Sequence, residues 1–180
     1  MKRFFAGSAV VVVLDQVTKA LAHRQLAPDH MQRVIGEFVR LRYVRNEGAA
    51  FSLFRGSPAF FIAMTLVSIG LILYLMLSRR YRFPGNSAAL GLILGGAIGN
   101  LIDRIRLQQV IDFLDVGIGR HRWPTFNVAD IGVTLGVLYL AVGFIVFDSR
   151  STPGTIAGPA SGDSLGGPGE ETPSGGSGDA

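Results

Sequence analysis

Four stretches of this chain are each apolar enough, and long enough as helices, to cross a bilayer, whose hydrocarbon core takes about 20 predominantly apolar residues. They cover about residues 4–22, 58–77, 87–106 and 128–147. The second carries no charge, whereas the others each carry an acid: Asp15, Asp103 and Asp130. This division predicts an all-α membrane bundle of four transmembrane helices over residues 1–150. Between the first two helices, at about residues 34–56, Phe38, Arg40, Arg42 and Tyr43 flank Val39, Leu41 and Val44. Partial alternation of this kind predicts short strands lying outside the bilayer or at its surface. Residues 151–180 are Gly, Ser and Pro with few apolar side chains, and such a tail cannot bury enough surface to offset its ordering entropy. It is expected to be disordered.

The first segment has a rival reading. A basic start, an apolar centre and a terminal Ala-Leu-Ala match a cleavable secretory signal, although Asp15 and Lys19 interrupt it.

Composition excludes several chemistries. The chain has no cysteine, hence no thiol nucleophile and no thiolate metal site. His23, His30 and His121 lie far apart and form no ligand spacing, so a zinc enzyme is not expected. The net charge of +4 conceals an asymmetry, because from Asp148 onward five acids face one arginine and leave the preceding body near +8. With no compact soluble basic domain visible, that excess suits anionic lipid headgroups better than nucleic acid. Lys2, Arg3, Arg79, Arg80 and Arg82 hug helix ends that an even number of crossings places on one side. The positive-inside rule makes that side cytoplasmic, although Arg40, Arg42, Arg45, Arg120 and Arg122 weaken the contrast.

Ionisable residues within membrane segments face a bundle interior or a water-filled cavity and mark function. Asp15 and Lys19 in "DQVTK" stand at i,i+4 with the acid first, the favourable order for an ion pair. In "GGAIGNLIDRI", Gly95 and Gly99 form a small-xxx-small pair that admits a neighbouring helix. Asn100, Asp103 and Arg104 share the next face, where an Asp103–Arg104 ion pair is the simplest expectation and makes Asp103 a poor proton donor. "VIDFLDV" holds Asp112 and Asp115 just beyond the third segment. In "FNVAD", Asn127 can cap the fourth helix, with Asp130 favoured in its first turn by the helix dipole. Trp123 just upstream is an interface anchor.

Asp112 and Asp130 flank one membrane boundary and can meet there. Two close carboxylates do not both ionise cheaply, so one keeps a proton. Such a pair can activate water and protonate a leaving amine, the two operations of peptide hydrolysis. A proton-coupled carrier or a non-catalytic membrane adaptor would use similar residues.

The blocks "DQVTK", "RNEGAAFSLF", "GGAIGNLIDR", "VIDF" and "FNVAD", in this order and spacing, resemble bacterial lipoprotein signal peptidase, also called signal peptidase II. The resemblance spans about Asp15 to Asp130. It implies an intramembrane aspartyl endopeptidase of the bacterial inner membrane that needs no cofactor and works as a monomer. Its substrates would be diacylglyceryl-modified prolipoproteins, cut just before the lipidated cysteine. It further implies a retained first helix, both termini in the cytoplasm and an active site near the outer leaflet. By the same resemblance the catalytic dyad is Asp112 and Asp130. Asn100, Asp103 and Arg104 would shape the site, and Asn127 and Ala129 would stand beside the dyad. Asp15 and Lys19 match the first block, and Asn46 and Gly48 match the block nearest the incoming substrate.

Overall fold

The computed structural model describes residues 1–26, 30–48, 57–78 and 84–148. In chain order the elements are α1 (Lys2–Gln25), β1 (Met31–Ile35), β2 (Val39–Asn46), α2 (Pro58–Ser78), α3 (Asn86–Leu107), β3 (Val110–Ile118), β4 (His121–Arg122) and α4 (Val128–Asp148). All four helices are long and apolar enough to cross a membrane. Much of their surface is exposed large apolar side chains, such as Val67, Leu71, Leu77 and Ile145. For this chain the natural solvent for that surface is lipid.

The bundle is built on α3, which packs against α1, α2 and α4. Close approach is steric in origin. A Cβ on Gly95 would stand 2.6 Å from the Ser8 carbonyl oxygen of α1, and one on Gly99 would stand 2.6 Å from Asp15 Oδ2. The small pair read from the sequence is therefore the seat of α1. By contrast, α2 packs on α3 alone among the described elements and buries only Ile72.

The extramembrane part differs from the expectation of strands only between the first two helices. The sheet is four-stranded and antiparallel in the order β1-β2-β3-β4, and half of its strands come from the α3–α4 connection. The alternation that reveals a half-exposed strand is missing from β3, because Val110, Ile111, Asp112 and Phe113 are all buried. The α3–β3 turn is tight, with Gln108 in the left-handed conformation (φ 60°) and its N–H donating to the Arg104 carbonyl. Residues 49–56 of the expected strand segment, Arg79, Arg80 and Arg82, and the tail 151–180 lie outside the described residues.

One clip ties sheet to bundle. Phe126 N–H donates to the Leu114 carbonyl at 3.0 Å, while Leu114 N–H donates back to the Phe126 carbonyl at 2.8 Å. The residue before Asn127 is thereby hydrogen-bonded to β3, and α4 must begin beside Asp112.

Candidate active site

The start of α4 is a reciprocal capping box. Asp130 N–H donates to Asn127 Oδ1 at 3.0 Å, and Asn127 N–H donates to Asp130 Oδ2 at 3.2 Å. This satisfies two helix-end donors at once, with aspartate in the place that glutamate usually takes. The capping role expected for Asn127 is thus present, and it leaves the asparagine's amide group free for a second task. Asn127 Nδ2 donates to Asp112 Oδ1 at 2.6 Å. One fully buried side chain therefore binds both carboxyl-bearing residues, one through its amide and one through its cap.

Each carboxylate has a further asparagine. Asn46 Nδ2 donates to Asp112 Oδ2 at 2.8 Å, and Asn100 Nδ2 donates to Asp130 Oδ1 at 2.9 Å. Strand register explains the first contact: Asp112 pairs with Val44, and Asn46, two residues on, shares that face of the sheet. Asn46 Oδ1 also accepts Gly48 N–H at 2.9 Å. Gly48 has φ +113°, and a Cβ there would run into the Phe61 ring of α2, so only glycine fits.

Beneath the pair lies a buried charged floor. Lys19 Nζ is 2.8 Å from Asp15 Oδ2, 2.9 Å from Asp103 Oδ2 and 3.0 Å from Asn100 Oδ1. Asp15 Oδ1 accepts the Ala129 N–H at 2.9 Å, another donor at the start of α4. Asp103 Oδ2 accepts Ile111 N–H at 3.2 Å, which pins the start of β3 over the end of α3. Gln16 Nε2 reaches Asp15, Asp103 and the Gly99 carbonyl, each at 3.2 Å. Sequence reasoning does not single out Gln16, although it is a polar residue of the first apolar segment and stands in the block "DQVTK".

The expected Asp103–Arg104 ion pair is absent. Neighbouring residues on a helix diverge by about 100°, so Asp103 turns inward to Lys19 while Arg104 turns toward α2. The Arg104 guanidinium lies 5.7 Å from the Phe61 ring centroid. Asp103 is held in a structural network and touches neither Asp112 nor Asp130.

Asp115 is also committed elsewhere. It stands three residues from Asp112 on β3, hence on the opposite face, where Arg122 Nε donates to its Oδ1 at 2.6 Å. Arg122 also donates to the Asp115, Gly117 and Glu37 carbonyls and so knits β3 to the β1–β2 turn. Asp115→Asn is expected to lower thermal stability by about 1–2 kcal/mol through the weakened charge-assisted bond. It should leave any Asp112–Asp130 chemistry at the parent level, which parallel melting and activity assays of the purified variant would check.

Asp112 is 2% exposed. Burial pushes its carboxyl up to about 6, with the Asp130 charge adding to the rise and the Asn46 and Asn127 hydrogen bonds and Lys19 opposing it. A carboxyl raised in this way binds its proton more tightly folded than unfolded, so its contribution to stability falls as pH rises from about 4 to about 6. The shift corresponds to about 3 kcal/mol at most. Asp112→Asn cannot ionise, so its stability relative to the parent should improve across that window. Melting curves at pH 4, 5, 6 and 7 would test this, and a constant difference would refute it.

Two open grooves reach Asp130. One, of about 430 Å³, lies between α2, α3 and α4 and is lined by Phe61, Met64, Gly96, Asn100 and Val133 among others. The other, of about 470 Å³, is walled by Val116, Trp123, Phe126, Ile131 and Leu135. Both combine apolar walls with the carboxylate, an arrangement suited to an extended apolar ligand that has one reacting polar bond.

Fold and site together define a multi-pass membrane protein that gathers two carboxylates around one buried asparagine at the corner between bundle and sheet. The family model described as signal peptidase (SPase) II matches residues 8–146. The chain is 42% identical over 147 residues to a lipoprotein signal peptidase of Syntrophus aciditrophicus, covering 79% of this chain and 91% of that one. It is also 42% identical over 160 residues to the lipoprotein signal peptidase of Chlorobium phaeobacteroides, covering 83% of this chain and all of the relative. Among solved structures, a bacterial membrane enzyme determined by the in meso method at 2.3 Å matches with a TM-score of 0.78 at 28% identity, over 87% of this chain and 95% of that one. A second such structure, at 1.9 Å, matches with a TM-score of 0.72 at 29% identity, over 84% and 96%. The chain belongs to the signal peptidase II family.

Proposed function

We propose that this chain is an aspartyl endopeptidase that removes the signal peptide from diacylglyceryl-modified prolipoproteins, cutting just before the lipidated cysteine. The observation that carries this reading is the joint hold of Asn127 on Asp112 and Asp130. Its family relatives are named for lipoprotein signal peptidase activity, which supports the substrate class.

In the proposed reaction one carboxylate of the pair takes a proton from water as the water oxygen adds to the scissile carbonyl carbon. The other, still protonated, donates to the carbonyl oxygen as it becomes tetrahedral. Collapse then breaks the C–N bond, and a proton passes to the leaving nitrogen. The products are a signal peptide ending in a carboxylate and a lipidated cysteine with a free amine. Asp112, with its carboxyl raised to about 6, suits exchange of a proton near neutral pH. No step calls for a metal or an organic cofactor.

The signal helix is proposed to enter sideways from lipid through the groove beside α2, the helix that packs on α3 alone among the described elements. Asn46 and Gly48 would stand over the scissile bond, while Arg104 and Asn100 line the groove wall. We place the protein in the bacterial inner membrane as a monomer, with both termini cytoplasmic and the carboxylates at the outer boundary. The deciding experiment incubates the purified protein in detergent with a lipidated prolipoprotein. A shorter product whose N-terminal residue is the lipidated cysteine is expected. An uncut substrate would return the carrier and adaptor readings to first place.

A further inference from the structure

A cavity of about 460 Å³ shares no lining residue with the two grooves that reach Asp130. It lies between the last turns of α1 and α3 and the strands β2 and β3. Three arginines line it, each from a different element: Arg24 from α1, Arg45 from β2 and Arg106 from α3. All three are exposed, and none forms a salt bridge with a described residue. One acid lines the cavity, Asp103, against these three arginines and Lys19, which lies 2.9 Å from it. The cavity is therefore cationic in sum, with its positive charge on its rim.

The neutral groups are ordered as well. Tyr43 Oη lies 3.0 Å from His23 Nδ1, and the Arg45 guanidinium lies 5.9 Å from the Tyr43 ring centroid. Gln109 adds an amide at the β3 side. Guanidinium forks arranged around hydroxyl and amide groups match the oxygens of a phosphate better than a lone carboxylate, which fewer donors would saturate.

Depth decides between sources of phosphate. The cavity sits where α1 ends at Gln25 and α3 ends at Leu107, the level at which these spans leave the hydrocarbon. Val17 and Leu21 of α1 and Ile105 of α3 are exposed at these same helix ends. They offer an apolar surface for chains hanging from a headgroup. We propose that this cavity binds the phosphate of an anionic phospholipid headgroup. The inference rests on the membrane-spanning reading and is independent of the peptidase reading, since none of the three arginines belongs to the Asp112–Asp130 network.

The test is native mass spectrometry of the full-length protein in detergent, offered phosphatidylglycerol, phosphatidylcholine or inorganic phosphate. The parent should retain phosphatidylglycerol over phosphatidylcholine, and each of Arg24→Gln, Arg45→Gln and Arg106→Gln should weaken that preference about fivefold. The triple variant should lose it. Should the triple variant fail to accumulate, the single variants carry the test, since each changes one exposed side chain. Equal retention of the two lipids, or an undiminished preference in the variants, would overturn the proposal. So would displacement of the lipid by an equal concentration of inorganic phosphate, which would mark a site for free anions.

Discussion

Replacing Asp112 or Asp130 by asparagine is expected to reduce prolipoprotein processing by about 10³-fold or more, since each removes one partner of the proposed proton relay. The substitution is nearly isosteric, which matters most at Asp130. An asparagine there still offers an amide oxygen to the Asn127 N–H, and its own N–H still donates to Asn127 Oδ1. The capping box survives while the chemistry does not. At Asp112 the amide can turn to keep one of its two asparagine donors, Asn46 or Asn127. Both variants should therefore accumulate in membranes and bind uncleaved substrate with affinity close to the parent's. The measurement pairs a binding titration with a single-turnover cleavage assay. A variant that cuts at the parent's rate would exclude its aspartate from the reaction.

The second large effect concerns the floor of the site. Lys19→Met is expected to destabilise the fold by about 3–5 kcal/mol, the cost of leaving buried charge without its partner. The side chains of Asp15 and Asp103 are 0% and 5% exposed, and Lys19 Nζ is the one cation within 3 Å of both among the described residues. Methionine fills the volume but leaves the acids facing one another. The loss should spread beyond α1, because Asp15 caps α4 through the Ala129 N–H and Asp103 holds Ile111 at the head of β3. Thermal unfolding in detergent would measure it, and an unchanged midpoint would mean that water or a described backbone donor stands in for the ammonium. The direction separates the two predictions: the aspartate variants keep the fold and lose the chemistry, while the Lys19 variant loses the fold first.

How much of this was legible in the sequence follows from what each signal measures. The four helices announce themselves because lipid demands about 20 apolar residues in a row. That some helix would sit closely on Gly95 and Gly99 was legible too, since two glycines four residues apart have few other uses in a membrane helix, but that this helix is α1 was not. The sheet was only half legible. β2 keeps an alternation because one face is less covered, whereas β3 is buried on both faces at its start and β4 has two residues. The pairing of Asp103 was misread for a related reason. Proximity in sequence favoured Arg104, but a helix sends adjacent side chains apart, and the true partner lies on α1. The capping arrangement of Asn127 and Asp130 could be read from their spacing. Its extension to Asp112 could not, because that depends on the Phe126 clip to β3. The retention or removal of the first helix and the sidedness of the termini rest on the resemblance and the charge rule, not on any contact.

The Lys19 floor also bears on the order in which the chain is made. Asp15 and Lys19 stand at i,i+4 and neutralise each other within α1, so the first helix can leave the ribosome and settle in lipid without a partner. Asp103 arrives only with α3, and the backbone N–H groups that complete the arrangement, those of Ile111 and Ala129, arrive later still. The two carboxylates proposed to cut peptide bonds thus become fixed only once α4 has been delivered. A nascent chain halted before α4 holds no assembled pair, so the proposed chemistry waits until α4 has been made.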